Sequence, residues 1–130
     1  METPKELSSK SNQYFVIAEH WTSDLQYFQV ESNFFHHLLD RYASVASTED
    51  LEKLKSLGEE LKALDQEREK NEDAVDELRG QIVLAAEGKA PEDLGQIEKQ
   101  HSSLEVSIAE LTKKFRDLKT RLFTTVQNID

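Results

Sequence analysis

Cysteine is absent from the 130 residues, and glycine and proline are scarce, with four and two copies. Without cysteine the chain forms no disulfide, holds no thiolate-bound metal and has no cysteine nucleophile. Few glycines and prolines leave little material for tight turns, while 32% of the residues are charged, a combination typical of long helices. The composition therefore predicts an all-α protein, and its length favours a single domain covering residues 1–130.

Long apolar runs are missing too. No segment approaches the ~18 consecutive apolar residues of a membrane span, and the first residues lack the basic start and apolar run typical of a signal peptide. Acidic residues outnumber basic ones by 26 to 16, giving a formal net charge of −10. A field of that sign repels phosphate backbones and anionic lipid headgroups. We therefore expect no nucleic-acid partner, no membrane partner and a cytoplasmic location.

Two breaks divide the chain into three long segments. Gly88 can adopt the left-handed conformation that ends a helix, and Pro91 suits the first turn of the next one. Earlier in the chain, Ser47 or Thr48 can cap a new helix. The breaks predict helices at about 12–45, 48–87 and 91–128.

The start of the first helix has two alternatives. Thr3, Pro4 and Glu6 are typical of a capping box with proline at the first helical position, which would begin the helix there. Alternatively, residues 1–11 fray and the stable helix begins near Asn12. The sequence alone leaves both alternatives open.

Apolar residues recur at alternating intervals of three and four in each segment, which is heptad spacing. We call these positions the seam of each helix. The first seam contains Tyr14, Ala18, Trp21, Leu25, Phe28, Ser32, Phe35, Leu39 and Tyr42. The second contains Leu54, Leu57, Leu61, Leu64, Arg68, Asn71, Val75, Leu78, Ile82 and Ala85. The third contains Leu94, Ile97, His101, Leu104, Ile108, Leu111, Phe115, Leu118, Leu122, Thr125 and Ile129. Short connections make consecutive helices antiparallel, so the spacing predicts an up-down-up three-helix bundle of long, coiled-coil-like helices.

Charge supports the same pairing. If the second and third helices fold back about the turn after Gly88, the basic stretch 111–121 lies beside the acidic stretch 58–69. Opposite charges beside a seam favour one relative orientation of two helices. Folding the first helix onto the second places Gly58 level with Phe34 and Phe35, where a missing side chain would admit a ring.

Polar residues interrupt the seams and predict a polar core layer. Arg68, Asn71 and His101 stand at seam positions, and Asp24 and Glu110 are the predicted carboxylate partners of Arg68. The favoured interpretation is that this layer fixes the register of the helices, with a ligand-binding arginine as the alternative. His101 is expected level with Tyr14, whose hydroxyl would satisfy the imidazole.

A metal site is a weaker hypothesis. His20, Asp24 and Glu31 share one stripe of the first helix, and imidazole with carboxylates is a common metal-ligand set. Di-iron bundles require Glu-x-x-His on two helices with carboxylates from two others, a set that this chain does not supply. Adjacent His36 and His37 lie about 100° apart on a helix, so they do not chelate one ion together. We expect no metal or other cofactor.

Function is predicted mainly from an excess of aromatic residues. Eight of the ten lie between Tyr14 and Tyr42, and no catalytic motif accompanies them, so we expect no enzyme. The first helix carries more apolar residues than two neighbouring helices require, and the extra ones form a candidate interaction surface of Phe15, Tyr27, Phe34 and Leu38. Burial within the chain is the equal alternative. The sequence predicts a protein-protein interaction or assembly module, with a partner or a second copy bound through the first helix, and a metal or small apolar ligand as the alternative.

Overall fold

Three α-helices dominate the computed structural model, which describes residues 7–129. Helix α1 is Ser9–Ala43, α2 is Thr48–Ala86 and α3 is Leu94–Gln127. The described part of the chain contains no strand, and the helices pack against one another in all three pairs. The predicted all-α, up-down-up three-helix bundle is therefore confirmed. Across residues 7–129, no helix has an apolar stretch long enough to cross a membrane.

Helix α1 begins three residues before the predicted Asn12. The Ser8 hydroxyl accepts the backbone N–H of Ser11 at 3.1 Å, which caps the helix. Glu92 then binds the cap, because its carboxylate accepts the Ser8 N–H at 3.3 Å and the Ser11 hydroxyl at 2.7 Å. A negative charge at the positive end of a helix stabilises it. The alternative capping box at Thr3–Glu6 lies outside the described residues.

Helix α2 begins at the predicted Thr48 and ends at Ala86, one residue before the predicted end. The Ser47 hydroxyl accepts the Asp50 N–H at 3.2 Å, so Ser47 is the cap. At the other end Gly88 has a φ of 73°, and the Lys89 N–H bonds the Leu84 carbonyl at 2.9 Å. The Gly88 N–H bonds the Ala85 carbonyl at 3.2 Å, which completes a Schellman cap.

Helix α3 begins later than predicted. Pro91 was expected in its first turn, but the helix begins at Leu94. Asp93 caps it, since its carboxylate accepts the Gln96 N–H at 3.1 Å. Because Asp93, two residues after Pro91, is the cap, the start of α3 moves from the predicted residue 91 to Leu94.

The chain comprises two compact units, each built from parts of all three helices. Unit 1 is Met1–Leu25 with Lys70–Ile108, and unit 2 is Gln26–Glu69 with Ala109–Asp130. Each unit has its own apolar interior, and within residues 7–129 every buried apolar residue lies on a predicted seam. Unit 1 buries Trp21, Leu25, Leu78 and Ile97, whereas unit 2 buries Phe35, Leu61, Leu111 and Phe115. The single 1–130 domain stays a prediction.

In unit 2, the predicted charge pairing of α2 and α3 is confirmed. The Lys114 ammonium donates to Glu67 at 3.1 Å, and the Arg121 guanidinium donates to both Glu60 oxygens at 2.7 and 3.0 Å. Exposed pairs of this kind contribute little to stability, typically about 0–1 kcal/mol, but they favour one alignment of the helices.

The predicted alignment of α1 with α2 is wrong by about one helical turn. Gly58 lies against Leu39, whose Cδ1 is 3.8 Å from where a Cβ at position 58 would stand, and not against Phe35. The prediction assumed that α1 and α2 align symmetrically about the middle of the connection between them, and the contact of Gly58 with Leu39 shows that they do not.

Gly58→Ala is expected to raise the free energy of unfolding by about 0.5–1 kcal/mol, because alanine favours a helix interior and the added methyl meets only an ordinary contact. Gly80→Ala is the matched control, since nothing lies within 4 Å of a Cβ there. Urea denaturation should show similar gains for both. A loss at Gly58 alone would indicate that its missing side chain has a packing role.

Candidate functional site

Three large apolar side chains are exposed on one side of α1 in unit 2. Tyr27 is 59% exposed, Val30 65% and Phe34 51%. Their spacing of three and four residues places them on one helical face, which Leu38 continues as a half-buried residue. We call the surface of Tyr27, Val30, Phe34 and Leu38 the outer face.

The interior of unit 2 is filled by other aromatic side chains. Phe28 stacks on Phe115 with ring centroids 5.0 Å apart, and Phe35 meets Phe123 edge to face at 6.2 Å. Tyr27 and Phe34 each directly precede one of these seam residues and are therefore turned about 100° from it. The outer face is thus additional to the aromatic packing of the core.

Phe15, the fourth member of the predicted interaction surface, belongs to unit 1 and is half-buried. Val30 has the highest exposed fraction on the outer face, and the sequence analysis missed it. An isolated valine gives no compositional signal, whereas the excess of aromatic residues drew attention to Tyr27 and Phe34. The signal that the sequence offered was the spacing of Val30, three residues after Tyr27 and four residues before Phe34.

A cationic and aromatic edge of α3 borders α1 in unit 2. Arg116, Lys119 and Phe123 follow each other at intervals of three and four and so share one face of α3. The Lys119 ammonium donates to Glu31 at 3.0 Å and lies 6.0 Å from the centre of the Phe123 ring. This hydrogen bond, together with the charge of Glu31, raises the pKa of Lys119. We call Arg116, Lys119 and Phe123 the α3 edge.

Asp65 is the centre of a polar cluster in unit 2 that the sequence analysis missed. One carboxylate oxygen accepts the Ser32 hydroxyl, and the other lies 2.8 Å from His36 Nε2. The Arg68 guanidinium lies 3.7 Å from the same carboxylate. Ser32 is 1% exposed and Arg68 6%, whereas the His36 side chain is 44% exposed, so the cluster joins α1 to α2 from the interior to the surface.

The predicted polar core layer is only partly buried. Arg68, Asn71 and His101 are all less than a tenth exposed, whereas Asp24 is exposed. Asp24 directly precedes the seam residue Leu25 and is turned about 100° away from the interior, so its assignment to the layer was wrong. Asp65, three residues before Arg68 on the same helix, provides a nearby carboxylate.

Ser32, His36 and Asp65 combine the residue types of a hydrolase triad, but their hydrogen bonds differ from those of one. In a triad the imidazole lies between serine and acid and removes the serine proton. Here the serine and the imidazole both bind the carboxylate, and Ser32 is 1% exposed. This arrangement suits a structural link between two helices.

His101 lies between two aromatic rings in unit 1. Its ring centroid is 4.3 Å from that of Tyr14 and 4.9 Å from that of Trp21. The prediction that His101 lies level with Tyr14 is confirmed. The predicted hydrogen bond between them is wrong, because the Tyr14 hydroxyl donates to Glu98 at 3.4 Å. His101 Nε2 is buried and has no hydrogen-bond partner among the described residues. Burial lowers the pKa of His101, and Glu105, 3.9 Å from Nδ1, opposes that shift.

His101 should make stability depend on pH. Because its pKa is lower in the folded protein than the ordinary 6.5, the unfolded chain binds the proton first as the pH falls. The contribution of His101 to the free energy of unfolding should therefore be fully present above pH 6.5 and be lost as the pH falls from 6.5 through the folded pKa. His101→Phe should remove this dependence and be nearly neutral or stabilising at pH 7. Denaturation at several pH values would contradict the assignment if wild type and variant lost stability in parallel.

The hypothesised metal ligands His20, Asp24 and Glu31 do not form a metal site in the described part of the chain. Across residues 7–129, no three His, Asp or Glu side chains form a group that could hold a metal ion. His20 and Asp24 are exposed, and Glu31 binds Lys119. Glu98 and His101 have Glu-x-x-His spacing, but Glu98 binds Lys10 at 3.0 Å and His101 is held between the rings.

A cleft of about 430 Å³ in unit 2 lies beside α2 and α3. Among its lining residues, Thr120, Thr124 and Thr125 each donate their hydroxyl to a carbonyl of α3 four residues earlier. Arg121, which also lines it, binds Glu60 and Asp117. These four polar side chains are therefore already engaged within the protein, unlike the convergent free groups of a typical ligand site.

Compared with known proteins, the chain matches no family model, no curated protein and no solved structure.

Proposed function

We propose that this protein is a non-enzymatic protein-protein interaction or assembly module whose contact surface is the outer face of α1 in unit 2. The observation that carries the proposal is the grouping of Tyr27, Val30 and Phe34, each more than half exposed. Single exposed apolar residues are normal on soluble proteins, but a group that includes aromatic rings is typical of interface centres.

The packing beneath the outer face supports the proposal over burial of these side chains within the chain. Phe28 and Phe35 provide the aromatic contacts of α1 with α3 in unit 2. Leaving Tyr27 and Phe34 in water has a hydrophobic cost of about 25 cal/mol for each Å² of apolar surface, which a partner would remove. The metal or apolar-ligand alternative has no comparable observation in its favour.

Site-specific photo-crosslinking tests the proposal. The chain would carry a photoreactive phenylalanine analogue at position 34, or at Val106 as the matched control, which is 60% exposed in unit 1. Irradiation in extract of the source cells should give a discrete larger adduct, containing a second copy or another protein, from position 34 and not from position 106. No adduct, or the same adducts from both positions, would contradict the proposal.

A further inference from the structure

We propose that the outer face and the α3 edge bind an acidic amphipathic helix of a partner protein. This inference rests on the proposed function and adds the chemistry of the occupant. Its basis is the charge that surrounds the exposed apolar side chains, which is opposite in sign to that of the chain as a whole.

Cations border the outer face on two sides. Arg41 follows Leu38 by three residues and extends the outer face, while Arg116 lies on the α3 edge. Both are exposed, and neither has a carboxylate within 4 Å among residues 7–129. Carboxylates of a bound segment would therefore find two guanidinium groups available for bidentate hydrogen bonds.

Asp24 is an exposed carboxylate three residues before Tyr27, at the end of the outer face opposite Arg41. Glu31 is bound by Lys119 at 3.0 Å. Asp40 lies four residues after His36, on the side of α1 that contacts Asp65 of α2. The chain has 26 acidic and 16 basic residues and is negative as a whole. The cations that border this apolar surface therefore give it the opposite local charge.

The dimensions fit a short helix. Residues 27–41 of α1 span about 21 Å at ~1.5 Å per residue, the length of a helix of about 14 residues. A helix with apolar residues at intervals of three and four would cover Tyr27, Val30 and Phe34 and place acidic residues beside Arg41 and Arg116. Such helix-in-groove contacts take their affinity from the apolar anchors and their specificity from the bordering charges.

A second copy fits the same surface less well. A two-fold interface places the same surface on both sides, so the cationic borders would approach each other. A membrane of anionic lipids also fits less well, because its extended negative surface would be repelled by the whole chain, which has a net charge of −10. A short acidic helix interacts mainly with charges within a Debye length, about 8 Å at physiological salt.

Selection from a peptide library tests the inference. The library would hold helical peptides with a fixed apolar stripe and Glu, Lys, Gln or Ser at each bordering position. We expect selected peptides to be enriched in Glu, and Arg41→Glu with Arg116→Glu to weaken their binding at least about tenfold. Phe34→Ser should abolish binding, whereas Val106→Ser should leave it unchanged.

The other outcomes separate this inference from the proposed function. Selection of Lys-rich or neutral peptides that still require Phe34 would overturn the acidic partner and leave the contact surface standing. Sedimentation showing a Phe34-dependent dimer, or Phe34-dependent binding to phosphatidylserine vesicles, would replace the acidic helix by a second copy or by a membrane. If no selected peptide depended on Phe34 and neither assay showed binding, both the inference and the proposed function would be overturned.

Discussion

Phe35→Ala is expected to lower the free energy of unfolding by about 3–5 kcal/mol, whereas Phe34→Ala should change it by no more than about 1 kcal/mol. Phe35 is 1% exposed and meets Phe123 edge to face, so its removal leaves a cavity that the core fills only in part. Phe34 is 51% exposed, and its truncation removes surface that water already reaches. Urea denaturation of the two variants measures the difference directly.

These adjacent residues make a matched pair, because they share chemistry, helix and distance from the ends of α1. Similar losses for both would indicate that Phe34 is also a core residue, and the contact surface would lose its basis. A larger loss for Phe34 than for Phe35 would reverse the assignment of the two faces of α1.

Asp65→Ala should lower the free energy of unfolding by about 2–3 kcal/mol. The carboxylate accepts the Ser32 hydroxyl, contacts His36 at 2.8 Å and lies 3.7 Å from Arg68, which is 6% exposed. Removing it leaves the buried hydroxyl without this acceptor and takes a counter-charge away from a buried cation, and both effects are unfavourable. Asp117→Ala is the control, because this exposed carboxylate pairs with Arg121 at the surface and should contribute less than about 1 kcal/mol.

A double-mutant cycle with Ser32 tests whether the cluster acts as a unit. Ser32→Ala should cost about 1 kcal/mol alone and much less in the Asp65→Ala background, because the hydrogen bond is already lost. Simple additivity of the two losses would show that the serine and the carboxylate do not depend on each other.

The sequence predicted the seams because helical spacing is a local property. Every buried apolar residue was identified from intervals of three and four, and the caps Ser47 and Gly88 follow from local backbone chemistry. The Asp65 cluster was not predictable in the same way. Asp65 lies 33 residues from Ser32 and 29 from His36, so finding it requires the alignment of α1 and α2, which the sequence placed about one turn away.

The candidate surface was predicted in part. Tyr27 and Phe34 were identified because aromatic residues exceed what the seam of α1 requires, and both are exposed. The border of cations was not identified, since it follows from the pairing of Lys119, which shares a face of α3 with Arg116, with Glu31 of α1. That contact joins residues 88 positions apart, a separation that no local pattern encodes.

Hydroxyl-radical footprinting tests the central claim most directly, because Tyr27, Phe34, Phe28 and Phe35 provide exposed and buried rings within one helix. In the isolated protein, Tyr27 and Phe34 should be oxidised rapidly and Phe28 and Phe35 slowly. In extract of the source cells, oxidation of Tyr27 and Phe34 should slow markedly while that of Val106 stays unchanged. Slow oxidation of Tyr27 and Phe34 in the isolated protein, or no protection of them in extract, would contradict a contact surface on α1.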